Sequence, residues 1–258
     1  MKFFKINFLR LFVIVFLLMY LSGIVLHEMG HWAVAKLLGC EPVWGVNSLV
    51  QIYDRTPTHP ENWLSFSGGW FRMKSFPNNT VELFFFHTAG VINNLLCVII
   101  GLLFTQFSKH TLFIRLGLLV ALINSFFVLL SQILSSLGNR GDEYNTANLL
   151  GISVYAVTTT LGVFSLIGLI VGTSKIREWK ERLKLLFIIL LGGIIGASVT
   201  PILNHFVRDQ LDMENPLFQP VFGVSFPVLI INIILFFLFI YLFVKWMKPK
   251  TDENNLAI

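Results

Sequence analysis

Of the 258 residues, 55% are hydrophobic and only 13% are charged, with a mean hydropathy of +0.75. That balance excludes an ordinary soluble domain, in which about 25% of residues are charged. The net charge of +5 does not indicate nucleic acid, because the basic residues flank apolar runs, as they do in membrane proteins. Several of these runs reach the ~20 residues that a helix needs to cross a bilayer. The chain therefore reads as an all-α polytopic membrane protein, a single membrane domain over 1–258. It should have about six transmembrane helices and a short irregular or β insertion after the first.

The first span is expected over 8–38. Lys2, Lys5 and the apolar run ending at Ser22-Gly23 have the outline of a signal peptide, but the apolar run continues to Leu38, so a retained span is expected. Gly39 and Pro42 end it. Residues 40–80 change character, with Pro42, Pro57, Pro60 and Pro77, the pair Gly68-Gly69, and Trp44, Trp63 and Trp70, which suit a membrane–water interface. Short β-prone pieces occur at 43–46 and 49–53. This insertion reads either as a surface loop or as a β-hairpin or re-entrant element whose edge a substrate strand can join. Further spans are expected over 83–107, 112–137, 147–171, 185–203 and 221–246. Residues 138–145 form a polar connection between the third and fourth spans. Cys40 and Cys97 make no disulfide framework and no metal-binding pair, and no internal repeat is evident.

Lys and Arg counts near the span ends set the orientation. Basic residues collect at Lys2, Lys5 and Arg10, at Lys109 and Arg115, across 175–184, and in the tail at Lys245, Lys248 and Lys250. With six spans these regions share one side, predicted to be cytoplasmic, together with both termini. The 40–80 insertion and Asp142 face the other side.

Within the first span stands His27-Glu28-Met29-Gly30-His31. Ionisable residues are rare inside membrane helices and mark function. Positions i and i+4 lie on one helical face, so His27 and His31 can hold one metal ion. Glu28 can then reach a water bound to that ion. This is the zinc-protease spacing, with two His ligands and a Glu general base. A structural or non-catalytic metal site is the plainer alternative. Catalytic zinc takes a third protein ligand. Asp142, preceded by Gly141 and on the same predicted membrane face, is the first candidate. Glu143, His87, Glu82, Asp54 and His59 compete with it, and Asp142 also reads as the N-cap of the fourth span.

These stretches together resemble the site-2 protease family of intramembrane zinc metalloproteases, over roughly residues 8–160. The HEMGH stretch fits that family's zinc and base motif. Ala89-Gly90-Val91-Ile92-Asn93-Asn94 is similar to its Ala-Gly-Pro-x-x-Asn, with Val91 in place of Pro. Gly141-Asp142-Glu143 occupies the place of its Asp-Gly motif, with Glu143 where Gly would stand. The resemblance implies a Zn2+ cofactor held by His27, His31 and Asp142, with Glu28 as base. It also implies a zinc nearer the cytoplasmic face, whereas the charge count puts the site nearer the other. Asn94 is expected either to orient substrate and stabilise the oxyanion or to serve as interhelical glue. The substrate would be a membrane protein or membrane-attached peptide with its backbone exposed locally, since an intact helix hides its carbonyls. The spans beyond 160 fall outside the resemblance and read as additional transmembrane helices. The alternative function is a non-proteolytic membrane protein, a transporter or assembly factor, that retains a metal site. The zinc proteases of prenyl-protein processing fit less well, because they take a Glu ligand from a later helix and no such helix is evident.

Overall fold

The computed structural model describes residues 6–40, 42–46, 49–50, 79–138, 141–213 and 215–248. The expected β-prone pieces fall partly, and Trp63, Trp70, Asp54 and His59 wholly, outside the described residues. The chain is an all-α polytopic membrane protein. Six helices are long and apolar enough to cross a bilayer: Phe8–Leu37, Thr80–Phe107, Thr111–Gly138, Val154–Ser174, Trp179–Leu211 and Phe226–Met247.

Span one is composite. It runs as α1 (Phe8–Leu18), a π-helical stretch over Met19–Val25, and α2 (Leu26–Leu37). Two short antiparallel strands follow, β1 (Val43–Trp44) and β2 (Leu49–Val50). Spans two and three are α3 (Thr80–Phe107) and α4 (Thr111–Gly138). Asn79 caps α3 through its side chain, which accepts from the Glu82 amide at 2.9 Å.

The fourth span differs from the sequence reading. Its expected first turns belong to a separate short helix, α5 (Asp142–Leu150), and the span proper is α6 (Val154–Ser174). Gly151 takes a left-handed φ of 63° and closes α5, and the Ser153 side chain caps the new helix by accepting from the Tyr155 amide. The fifth span, α7 (Trp179–Asp212), also runs longer than expected at both ends, with Pro201 inside the helix. The sixth, α8 (Phe226–Met247), starts later. Residues expected in its first turn instead form β3 (Pro220–Val221) and β4 (Val224–Ser225), joined by a tight turn with positive φ at Phe222 and Gly223. The four strands form one sheet in the order β2-β1-β4-β3, with β1 parallel to β4.

Lipid tails are as apolar as leucine, so close packing rather than expulsion of apolar surface holds membrane helices together. Small residues provide it here. A Cβ at Gly101 on α3 would lie 2.5 Å from the Gly117 carbonyl oxygen on α4, and a Cβ at Gly117 would lie 2.5 Å from the Gly101 carbonyl. The two backbones therefore touch. Leu11, Ile14, Leu118, Leu122, Ile188 and Phe243 lead one apolar cluster, while Ala35, Trp44, Val207, Leu211 and Val228 lead a second at the sheet end.

Basic residues near several span ends gather at one end of the helices. The Arg10 guanidinium sits 5.7 Å over the Trp246 ring, Arg115 donates to the Met247 carbonyl, and Lys184 donates to the Ile6 carbonyl. The ends of α1, α4, α7 and α8 are thus tied together by cations.

Replacing Gly117 by Val should destabilise the bundle by roughly 1–3 kcal/mol, since the new side chain meets backbone. Gly196→Ala, where nothing lies within 4 Å, should leave stability unchanged or slightly raised. Equilibrium unfolding in mixed detergent micelles checks both.

Candidate metal centre

The π-helical stretch leads directly into the HEMGH residues. Its wider turns, with the Leu26 amide reaching back to the Leu21 carbonyl, shift the angular phase of everything that follows. They also present carbonyls sideways to α3. Asn94 Nδ2 donates to the Gly23 carbonyl at 3.1 Å, and Asn93 Nδ2 donates to the Leu26 carbonyl at 2.7 Å.

Two glycines let the helices approach closely at the histidines, one against backbone and one against the imidazoles. A Cβ on Gly30 would lie 2.5 Å from the Ala89 carbonyl oxygen. A Cβ on Gly90 would lie 2.6 Å from His27 Nε2 and would also meet His31 Nε2. Any side chain at position 90 would occupy the centre itself.

Each histidine is held by its far nitrogen. The Gly23 carbonyl fixes which way the Asn94 amide faces, so Asn94 Oδ1 accepts from His27 Nδ1–H at 3.2 Å. His31 Nδ1–H donates to the Phe86 carbonyl at 2.7 Å. Asn94 is fully buried, and its carboxamide is engaged at both ends. Of the two roles expected of it, its contacts are those of an interhelical tie, set behind His27.

The third donor is Asp142, in the first turn of α5. Its Oδ2 lies 3.1 Å from His27 Nε2 and 3.0 Å from His31 Nε2, and the two Nε2 atoms are 3.3 Å apart. Gly141 makes the entry to α5 possible through a φ of 99°, and a Cβ there would lie 2.7 Å from Ser135 Oγ. Glu143 points elsewhere. It is buried against α4 and accepts from Ser131 Oγ at 2.9 Å, Gln132 Nε2 at 2.6 Å and Ser135 Oγ at 2.7 Å. Glu82 sits at the start of α3, accepting from Asn79 Nδ2. His87 is buried near the centre but does not belong to the group of converging donors, which among the described residues is His27, His31 and Asp142.

The electrostatics of this group are one-sided. Both Nδ1 protons point outward, so each neutral ring turns a bare lone pair toward the carboxylate. Without a metal, protonation of the rings relieves this: burial by itself raises the Asp142 carboxyl, but charged His31 and His27 donating to it outweigh burial and hold the group well below the usual carboxylate range. Three lone-pair atoms at 3.0–3.3 Å repel one another in a low dielectric unless a cation stands among them. Four-coordinate zinc with ligands at about 2.0–2.1 Å places neighbouring donors roughly 3.3 Å apart, and two imidazoles with one carboxylate suit it. The residues present fit the ion.

Glu28, next to His27, lines a cavity of about 730 Å³ together with His27, His31 and Asp142. Among the described residues its carboxylate makes no hydrogen bond. The cavity is predominantly apolar. Phe16, Met19, Phe126 and Phe127 form one side, and Gly193 and Val228 represent the wall supplied by α7 and α8. Helices outside the resemblance thus complete the chamber. The sequence reading also misses Gly30, Gly90 and the Phe86 carbonyl; the glycine in each of the first two motifs was the available signal. Comparison with models of known protein families, curated proteins and solved structures finds no match.

Asp142→Asn should lose bound zinc, and Glu143→Gln should retain it, when metal is counted in the monodisperse protein by mass spectrometry. Asn94→Ala should weaken zinc about 10- to 100-fold in a chelator competition, because the hydrogen bond behind a metal-binding imidazole contributes that much.

Proposed function

We propose that the chain is an intramembrane zinc metalloprotease, similar to the site-2 protease family, that hydrolyses a peptide bond of a membrane-embedded or membrane-attached protein. The observation that carries this reading is the convergence of three lone-pair donors beside a carboxylate with no protein partner among the described residues, both opening on one apolar chamber.

His27, His31 and Asp142 would hold a zinc ion, which would supply Lewis acidity to make water a nucleophile near neutral pH and to polarise a peptide carbonyl. The chain's own residues do the rest. Asn94 and the Phe86 carbonyl fix the two rings so that Nε2 faces inward. Glu28 takes the proton from water as its oxygen bonds to the carbonyl carbon. The same carboxyl then returns that proton to the departing amine as the C–N bond breaks. The apolar walls favour a substrate segment delivered from the bilayer, and the site's position beside the sheet end favours an extended segment over an intact helix. On the basic-end orientation, both termini face the cytoplasm and the centre lies toward the opposite surface.

Glu28→Gln should keep zinc at one per chain and abolish cleavage of a quenched-fluorescent peptide carrying a single apolar span, reconstituted in liposomes with the full chain. A variant that holds zinc and cleaves at the wild-type rate would overturn the protease reading and return the non-proteolytic metal-site alternative.

A further inference from the structure

With Asn94 engaged behind His27, the developing negative charge on a substrate carbonyl has no donor from the residue that the motif suggests. We propose that Asn145 supplies it, binding the scissile carbonyl oxygen of the peptide through Nδ2–H; this rests on the proteolytic reading above.

The polar groups of the chamber can be taken in turn. Tyr20 donates to Asn232 Oδ1 at 2.8 Å, Ser131 Oγ to Glu143, and Thr200 Oγ1 to the Gly196 carbonyl. His27, His31 and Asp142 face one another, and Glu28 is the base. The other amides of the central helices are also engaged: Asn93 on Leu26, Asn94 on Gly23 and His27, and Asn124 on Ser22 and the Val120 carbonyl. Asn145 lines the chamber, and among the described residues its carboxamide makes no hydrogen bond.

Its placement is the second argument. Asn145 is three residues after Asp142 on α5, so the two side chains lie on neighbouring parts of one helical face, with Cβ atoms about 5–6 Å apart. The backbone is fixed where it matters, since the Asn145 amide donates to the Gly141 carbonyl at 3.0 Å in the first turn. A metal donor and a hydrogen-bond donor are thus carried by one rigid turn, the condition for stabilising charge that appears only during reaction. As the water oxygen bonds to the carbonyl carbon and Glu28 takes the proton, electron density moves onto the carbonyl oxygen. Nδ2–H donates to that oxygen, and the bond weakens again when the C–N bond breaks and the amine receives the proton. His87 is the rival, a buried ring in the same chamber that packs against Phe86.

The test uses the full zinc-loaded chain in liposomes with the same quenched-fluorescent single-span peptide. Asn145→Ala and Asn145→Asp should keep zinc and fold, leave KM within a few-fold, and lower kcat about 100-fold, because Asp has the shape but no amide proton. Asn145→Gln should recover part of the rate. Affinity for a peptide hydroxamate, read without turnover, should fall about tenfold in Asn145→Ala, the scale of one hydrogen bond. Wild-type kcat in Asn145→Ala beside an inactive Glu28→Gln overturns this inference and leaves the protease reading standing. Loss of rate in His87→Phe but not in Asn145→Ala also overturns it and assigns the donor to His87. Equal behaviour of wild type and Glu28→Gln overturns both readings.

Discussion

Three lone pairs aimed at one point is an arrangement that a folded chain does not hold without reason, and most of the structure around this point serves to hold it. Repulsion among His27 Nε2, His31 Nε2 and Asp142 Oδ2 is opposed from outside, by the Asn94 amide and the Phe86 carbonyl pulling on the far side of each ring. Those two groups are in place only because α2 and α3 touch through Gly30 and Gly90. A helix pair at ordinary separation would put Asn94 out of reach of His27. Close packing, which in lipid is the principal adhesive force between helices, is here also what gives the imidazoles their direction.

The third donor depends on a different kind of constraint. Asp142 and Glu143 are adjacent on α5, about 100° apart around the helix, and only one of them can face the histidines. Ser131, Gln132 and Ser135 on α4 decide the matter by binding Glu143 through three hydrogen bonds, which rotates Asp142 toward the centre. The carboxylate bound by α4 is therefore what aims the one that faces the histidines. The break at Gly151 matters for the same reason. A helix continuous into α6 would take the direction of that span, and α5 could not turn independently.

How much of this was legible in the sequence follows from how local each feature is. The pairing of His27 with His31 needs only helical periodicity, and span number needs only apolar length, so both could be read directly. The choice of Asp142 over Glu143 depends on three polar side chains of span three that carry no motif. The role of Asn94 depends on a sideways carbonyl in a π-helical stretch, and the residues of Met19–Val25 carry no pattern that distinguishes such a stretch from ordinary α-helix. The boundary errors have simple causes. Gly151 and Ser153 are stop and start signals inside an apolar run, Pro201 removes one hydrogen bond from a helix that continues regardless, and the 220–225 strands exist because their partner lies in the insertion after span one.

That last pairing sets an order on assembly. β1 lies beside β4 through Trp44 and Val224, and the Gly223 carbonyl accepts from both the Trp44 amide and the Trp32 indole. A nascent chain holds all three metal donors once residue 142 has been made, yet it has neither the sheet nor the α7 and α8 walls of the chamber. Contacts between segments so distant in sequence form late, because the intervening chain must be ordered first. During biosynthesis the three donors can therefore converge while the chamber is still open on one side, and the last hairpin and span close over a centre that is already shaped.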